Sequence, residues 1–390
     1  MATVQTPGTY TEEINFPNQI TALPTNRVVI IGFTQKTAGA NNKSILYKPI
    51  RIKSLVDYES FFGGAAVNAN NGFCLYESVQ LYFDNGAKEI SIISCGDYAD
   101  GITLRPLLRG LNRSRTIEAN LIAIPEAVFI ADEIDFYKLQ QKILAICADK
   151  ANRFAVLDTK RPTNNIDSDI DNYRAGIGNN NLKWGACYYP WIKSVSGRTI
   201  PPSGAVCGAY VNVDDTRGVW KVPANVSLNG VTSVSININD AGNENLKTDE
   251  SEGKSINAIR KFAGKGILIW GGRTLMGNDN EWRYVSVKRF FMMVEESVSK
   301  GTDVFIFEPN DNTTWIKLRI TIENFLTGLW RDGALQGVKP EEAFYVHCGL
   351  GTTMTQQDIT EGKLIIEIGV AVVRPAEFII RRFVKKMSKD

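Results

Sequence analysis

The chain has 390 residues, 44% of them hydrophobic and 22% charged, with a formal net charge of +2 at pH 7. No strongly basic region calls for nucleic acid, no run approaches the ~18 apolar residues needed to cross a bilayer, and MATVQTPGTY lacks the basic stretch and apolar core of a secretion signal. Synthesis and retention in the cytoplasm without membrane insertion is therefore expected, and a length above the usual ~250–300-residue limit of one hydrophobic core predicts two domains or one elaborated domain.

The first stretch, TPGTYTEEINFPNQI (6–20), alternates Tyr10, Glu12, Ile14 and Phe16 between a Pro-Gly turn signal and Pro17, which fits a short extended arm better than a helix. RVVIIGFT (27–34) reads as a buried strand. SLVDYESFFGG (54–64) starts like a capped helix, with Ser54 three residues before Asp57 and Gly63 as the stop. CLYESVQLYFDNG (74–86) places Leu75, Val79 and Tyr82 at helical spacing, and Asn85-Gly86 ends it before the strand KEISIISCG (88–96). The rhythm continues through NLIAIP (120–125), a helix over 132–148, RFAVLDT (153–159), a helix around 166–175 and KWGACYYPW (183–191). Strands separated by helices of this length predict an α/β domain with a mixed, largely parallel sheet covered on both faces.

Beyond about 225 the pattern changes. SLNGVTSVSININD alternates with period two and GKGILIWGGRTL reads as a strand. Two helices then follow, one with Val287, Phe290, Phe291, Val294 and Val298 on one face, the other repeating Trp315, Leu318, Ile322, Phe325 and Leu329. AFYVHCG returns to strand, which predicts an α+β domain with grouped helices. Trp220, Trp270 and Trp330, beside Gly218, Gly271, Gly272 and Gly333, read as core packing and tight turns, with 218–225 as the passage between domains. Arg273 and Arg283 read as ties to carboxylates that the sequence leaves unnamed. The last stretch, EGKLIIEIGVAVVRPAEFIIRRFVKKM (361–387), is β-rich, apolar and basic with no closing turn, so its backbone must pair inside this chain or in another. Ile379, Ile380, Phe383, Val384 and Met387 also fit an amphipathic helix.

Catalytic chemistry is hard to assemble from these residues. The single histidine, His347, lies in YVHCG and reads as a core residue, while the adjacent Cys348 points to the opposite face of a regular strand. The six cysteines have no Cys-x-x-Cys pair and read as buried free thiols. No G-x-x-x-x-G-K-[ST] occurs, and IIGFT lacks the later glycines that let amides reach a pyrophosphate. The carboxylate pairs Asp214 and Asp215, Glu295 and Glu296, and Glu341 and Glu342 are sequence neighbours and read as solvated faces. No catalytic, cofactor or metal residue is assigned. The competing reading is an α/β enzyme or nucleotide-binding protein using 27–200.

Taken in order, PGTYTEEI, GFT, FGG, YFDNGAKEISIIS, PPSGAVCGAYVNVDDTRGVWKVPAN, INAIRKFAGKGILIWGGRTL, EWRYVSVKRFF, VFIFEPN, FLTGLWRDGALQG and GKLIIEIGVAVVRPAEFI closely resemble the contractile tail sheath proteins of phages, tailocins and related injection systems. The resemblance covers 1–96 and about 200–390 and is weak over 97–199. It implies an arm at 1–23 joining an inner domain, an outer α/β domain at 24–225 whose 97–199 part faces outward, an inner α+β domain at 226–375, and an arm at 376–390.

It further implies six-fold helical self-assembly around an inner tube, with baseplate and terminator proteins as partners and an AAA+ ATPase for disassembly as a further one. The arms, with Tyr10, Glu12, Ile14 and Phe16 at one end and Phe378, Ile379, Ile380 and Arg382 at the other, would donate strands to neighbouring subunits. Work would come from a metastable extended packing, with no nucleotide and no cofactor. Lys288 and Arg289 in one helix, and Lys317 and Arg319 in the next, are the candidate contacts to an acidic tube surface. Trp220, Trp270, Arg273 and Trp330 are the candidate inner-domain core or junction residues.

Overall fold

A computed structural model describes residues 19–39, 42–67, 72–247 and 253–377. The arm residues Tyr10, Glu12, Ile14, Phe16, Phe378, Ile379, Ile380 and Arg382 lie outside them. The described residues form two compact units, a larger one from those of 24–293 and 372–377, and a smaller one from 19–23 and 294–371.

The larger unit opens with β1 (Val28–Gly32), β2 (Pro49–Ile52), α1 (Leu55–Phe62), α2 (Leu75–Asp84), β3 (Ile90–Ser94), α3 (Leu104–Ser114) and β4 (Leu121–Ala123). It continues with α4 (Glu133–Lys150), β5 (Phe154–Asp158), α5 (Ile166–Ile177), β6 (Gly185–Tyr189), β7 (Ile192–Ser194), β8 (Thr199–Ile200) and α6 (Ser203–Arg217). Then come β9 (Val226–Ser227), β10 (Val231–Val234), α7 (Asp240–Lys247), β11 (Ile256–Phe262), β12 (Gly266–Ile269) and α8 (Val285–Thr302). The division between the units falls inside α8, between Met293 and Val294.

A nine-stranded sheet in the order β2-β3-β1-β4-β5-β6-β11-β12-β9 carries the larger unit. Neighbours from β3 to β11 run parallel, whereas β2 is antiparallel to β3, β12 to β11 and β9 to β12. All five residues of β1, β5 and β6 are buried, as expected of strands covered on both faces. The expected cap forms at Ser54, whose Oγ accepts from Asp57 N at 3.1 Å, and Gly63 closes α1 at φ 83°. Asp132 Oδ1, a cap not singled out in the sequence, accepts from Asp135 N at 2.8 Å to start α4.

The expected boundary near 225 is displaced to 293. β11 pairs in parallel with β6, Ile256 opposite Cys187, and β12 and β9 extend the sheet from it, so 218–293 belongs to the larger unit. Local pattern changes at 225, but parallel pairing to a strand far back in the sequence is decided by tertiary structure. Helix α6 was also not legible: nearly every residue of SGAVCGAYV is buried, leaving no polar face to set a period. It lies against α2 with almost no spacing, since a Cβ on Gly204 would sit 2.4 Å from Ser78 O and one on Gly208 2.4 Å from Tyr82 O.

The smaller unit contains the end of α8, α9 (Asn312–Arg331), α10 (Pro340–Ala343), β13 (Phe344–His347), α11 (Gln356–Thr360) and β14 (Glu367–Val370). Asp311 Oδ1 caps α9 by accepting from Thr314 N at 3.0 Å, and the helix buries Trp315, Leu318, Ile322, Phe325 and Leu329, the row read from the sequence. Leu23 N donates to Ser297 Oγ at 2.9 Å, holding the first described residues of the unit to α8.

Substituting Gly208→Val is expected to destabilise the protein by ~3 kcal/mol, because backbone rather than a flexible side chain stands in the way. Chemical denaturation measures it, and Ala209→Ser on the same helix serves as a mild control.

Candidate assembly interface

The smaller unit carries a sheet of only two strands among the described residues, with Phe344 opposite Val370 and His347 opposite Glu367. One face is covered: Val346 is 4% exposed, and the strand packs against α9. The other is open: Tyr345 is 45% exposed, its ring lies over Gly369, and its hydroxyl donates to Glu367 Oε1 at 2.9 Å. His347 stacks beside Tyr345 at 4.7 Å between ring centroids and is exposed, not the core histidine expected, because a strand covered on one side exposes alternate residues. Cys348 is half-buried, while the other five cysteines are buried, and all six are free.

Two-stranded sheets are marginal in water, and unpaired strand edges are templates for further pairing. Apolar exposure is concentrated in the same unit, which holds eight of the fourteen exposed large hydrophobic side chains among the described residues, including Val304, Ile306, Phe307, Val338 and Leu350. A stretch of fewer than ninety described residues therefore presents more large apolar side chains to solvent than the rest of the described chain.

The four candidate tube-contact cations separate sharply. Lys317 and Arg319 are exposed on α9, where Arg319 Nε lies 3.6 Å from Glu323 Oε1 one turn on. Lys288 and Arg289 are buried inside the larger unit, which corrects the expectation that they face a partner. The Lys288 ammonium sits 3.6 Å from the Trp184 ring centroid and 4.7 Å from that of Trp282. Arg289 donates to both carboxylate oxygens of Asp214 at 2.9 and 2.5 Å and to Thr25 O at 3.0 Å, while Thr25 Oγ1 donates to Asp214 Oδ2 at 2.7 Å. Burial pushes the Asp214 carboxyl up and the Arg289 guanidinium pulls it back, so Asp214 is a buried ion-pair member and not the solvated acid its position beside Asp215 suggested.

Arg273, expected to meet an unnamed carboxylate, meets Glu377. Its Nε and Nη2 donate to Oε1 and Oε2 at 3.0 and 2.6 Å, and Nη1 donates to Gly277 O at 3.2 Å. The Lys247 ammonium lies 3.4 Å from the same carboxylate, and the two cations hold Glu377 below the usual glutamate range against the cost of burial. Trp220 packs edge-on against Phe290, and Trp270 lies 4.4 Å from Phe262, so both tryptophans serve the larger unit. Trp330 belongs to the smaller one, where its indole donates to Gly337 O at 3.0 Å.

The ends of the parallel strands, where an α/β sheet would hold a nucleotide, are filled by the chain's own carboxylates. Glu126, wholly buried just after β4, accepts from Phe33 N at 2.6 Å, Cys74 N at 2.8 Å and Leu75 N at 3.0 Å, at the end of β1 and the start of α2. Asp158 at the end of β5 accepts from Ser203 N at 2.9 Å, the first residue of α6. Amides that would cradle a phosphate are thus committed internally. Burial pushes Glu126 up to about 7 against three N–H donors, and Asp158 up to about 8.

Comparison with known proteins matches residues 103–275 to a family model described as the phage tail sheath protein central domain, and 277–385 to the phage tail sheath C-terminal domain. The PVC sheath of an extracellular contractile injection system, in its contracted state, is 31% identical, with a TM-score of 0.78 over 99% of both chains. The helical sheath of the anti-feeding prophage, also contracted, is 31% identical, with a TM-score of 0.77 over 98% of this chain and 100% of that one. The tail sheath protein of Enterobacteria phage T4 is 20% identical over 83% of this chain and 46% of its own length. The chain spans less than half the length of the curated relatives it matches.

Both buried carboxyls have folded-state pKa values above their unfolded ones, from 4.5 to about 7 for Glu126 and from 3.8 to about 8 for Asp158. Their contribution to stability is complete below about pH 4 and is lost as pH rises through 7 and 8. Denaturation midpoints of Asp158→Asn, which keeps an acceptor for Ser203 N, are expected to vary less between pH 6 and 8 than those of the wild type.

Proposed function

The chain belongs to the phage tail sheath family, and from that premise we propose that it is the subunit of a contractile sheath that polymerises helically around an inner tube and drives the tube through a target envelope. The observation that carries this is the smaller unit: a sheet that has only two strands among the described residues, on a surface unusually rich in exposed apolar side chains. Strands donated by the terminal arms of neighbouring copies, within 1–23 and 376–390, would complete that sheet. Main-chain hydrogen bonds of this kind depend little on side-chain fit, so copies stay linked while their rigid parts re-pack. The solved relatives are described as sheath complexes, helical sheaths and a 6-fold symmetrised baseplate, which supports self-assembly and association with a baseplate.

No catalysis is needed in this scheme. The free energy is stored at assembly as the gap between two packings of the same subunits, and many weak interfaces switching together release it. Lys317 and Arg319 are the remaining candidates for gripping an acidic tube, and exposed ion pairs worth ~0–1 kcal/mol each suit a grip that must release. A terminator, an AAA+ ATPase for disassembly and cytoplasmic assembly before deployment complete the reading.

Truncating the chain after Glu377, or removing residues 1–18, is expected to leave a soluble folded subunit that forms no tubes by electron microscopy. A truncation that unfolds the subunit would assign that arm to its own core. Inserting three residues between Gln19 and Pro24 is expected to permit assembly but block contraction, and insertion mutants that contract like wild type would remove this connection from the mechanism.

A further inference from the structure

The loop between α8 and α9 holds an aromatic side chain in a costly conformation with no internal use. Phe307 has φ 72° and is fully exposed, flanked by exposed Val304 and Ile306. A bulky L-residue in the left-handed region costs ~1–2 kcal/mol, and here no buried contact of the ring offsets it. The loop is nonetheless fixed in place. Asn310 Nδ2 donates to Lys363 O at 2.9 Å, Trp315 Nε1 donates to Asn310 Oδ1 at 2.7 Å, and Glu308 N donates to Phe305 O at 3.1 Å. Lys363 leads through half-open Ile365 directly into β14, so the apolar loop is tied to the start of the strand whose outer edge has no partner strand among the described residues.

The charged residues within the loop itself are acidic, Asp303 and Glu308, and both are exposed, with exposed Lys300 and Lys363 flanking it. The sequence after Glu377, FIIRRFVKKMSKD, has the opposite character: large apolar residues such as Phe378 and Ile380 interleaved with five cations and one acid, Asp390. Glu377 is held by Arg273 and Lys247 in the larger unit, so this basic, apolar segment leaves from there, whereas the loop belongs to the smaller unit.

We propose that the Val304–Phe307 loop is a docking site for the 378–390 segment of a second copy of this chain, with Phe307 as the apolar anchor and Asp303 and Glu308 meeting its arginines. The proposal rests on the sheath reading and deepens it, by extending the receiving surface from the β14 edge onto a built side-chain site. Backbone pairing supplies linkage without specificity; the loop supplies the recognition that selects this segment.

Photocrosslinking tests it with the full chain. With p-benzoylphenylalanine in place of Phe307, irradiated polymers are expected to yield an intermolecular crosslink that mass spectrometry maps to 378–390. A crosslink to the tube protein, to the same chain or to any other region overturns the proposal, as does the absence of any crosslink in well-formed polymers. Independently, Glu308→Lys is expected to lower polymer yield about tenfold and to be rescued by Arg381→Glu with Arg382→Glu in the same chain, while Phe307→Gly keeps or raises the melting temperature yet assembles poorly. If truncation after Glu377 abolishes polymers but Glu308→Lys and Phe307→Gly assemble like wild type, the loop is excluded and the sheath reading stands. If the truncated chain polymerises normally, the arm reading itself falls.

Discussion

Backbone hydrogen bonding governs this chain, and its two units meet the demand differently. The nine-stranded sheet satisfies its strands by pairing them with one another, and its margins are small: β9 has two residues, and β2 begins at Pro49, which donates no ladder bond. Among the described residues the smaller unit has two strands and no central one, so each of them is an edge there. One unit is finished by its own sequence. The other has the form of an acceptor, and its open strands coincide with exposed Tyr345, Ile365 and Phe307.

Buried charge does the complementary work of fixing where the chain runs. Thr25 and Arg289 converge on Asp214, and Arg273 and Lys247 converge on Glu377, all within the larger unit. Residues 23–24, 293–294 and 371–372 are the points where the chain passes from one unit to the other, and these clusters lie within a few residues of all three. Buried pairs of this type contribute little net stability compared with an apolar replacement, but losing one partner costs ~3–5 kcal/mol. They serve position more than stability.

The same economy holds at the ends of the parallel strands. Glu126 and Asp158 occupy the helix starts that would otherwise face a phosphate, and they do so from within the core. The family relationship lends no support to the enzyme alternative suggested by the alternation of strands and helices.

Much of the local structure was legible because it depends on nearby residues. Short apolar runs bounded by turns marked β1, β3, β5 and β6, the Ser54 cap marked the start of α1, and the Trp315 to Leu329 spacing marked the buried face of α9. The order of motifs along the chain identified the family. What the sequence could not determine was decided by contacts between distant residues: the parallel pairing of β11 with β6 that moved the unit boundary to 293, the burial of Lys288 and Arg289, and the choice of Glu377 as the partner of Arg273. A charged side chain reads as solvent-facing from its neighbours in sequence, but its environment is set by the elements packed against it. Sequence determined which elements form, because propensity and periodicity act over a few residues; tertiary structure alone decided which charges are buried and which edges stay open, because both depend on what is left unpaired after the chain has folded.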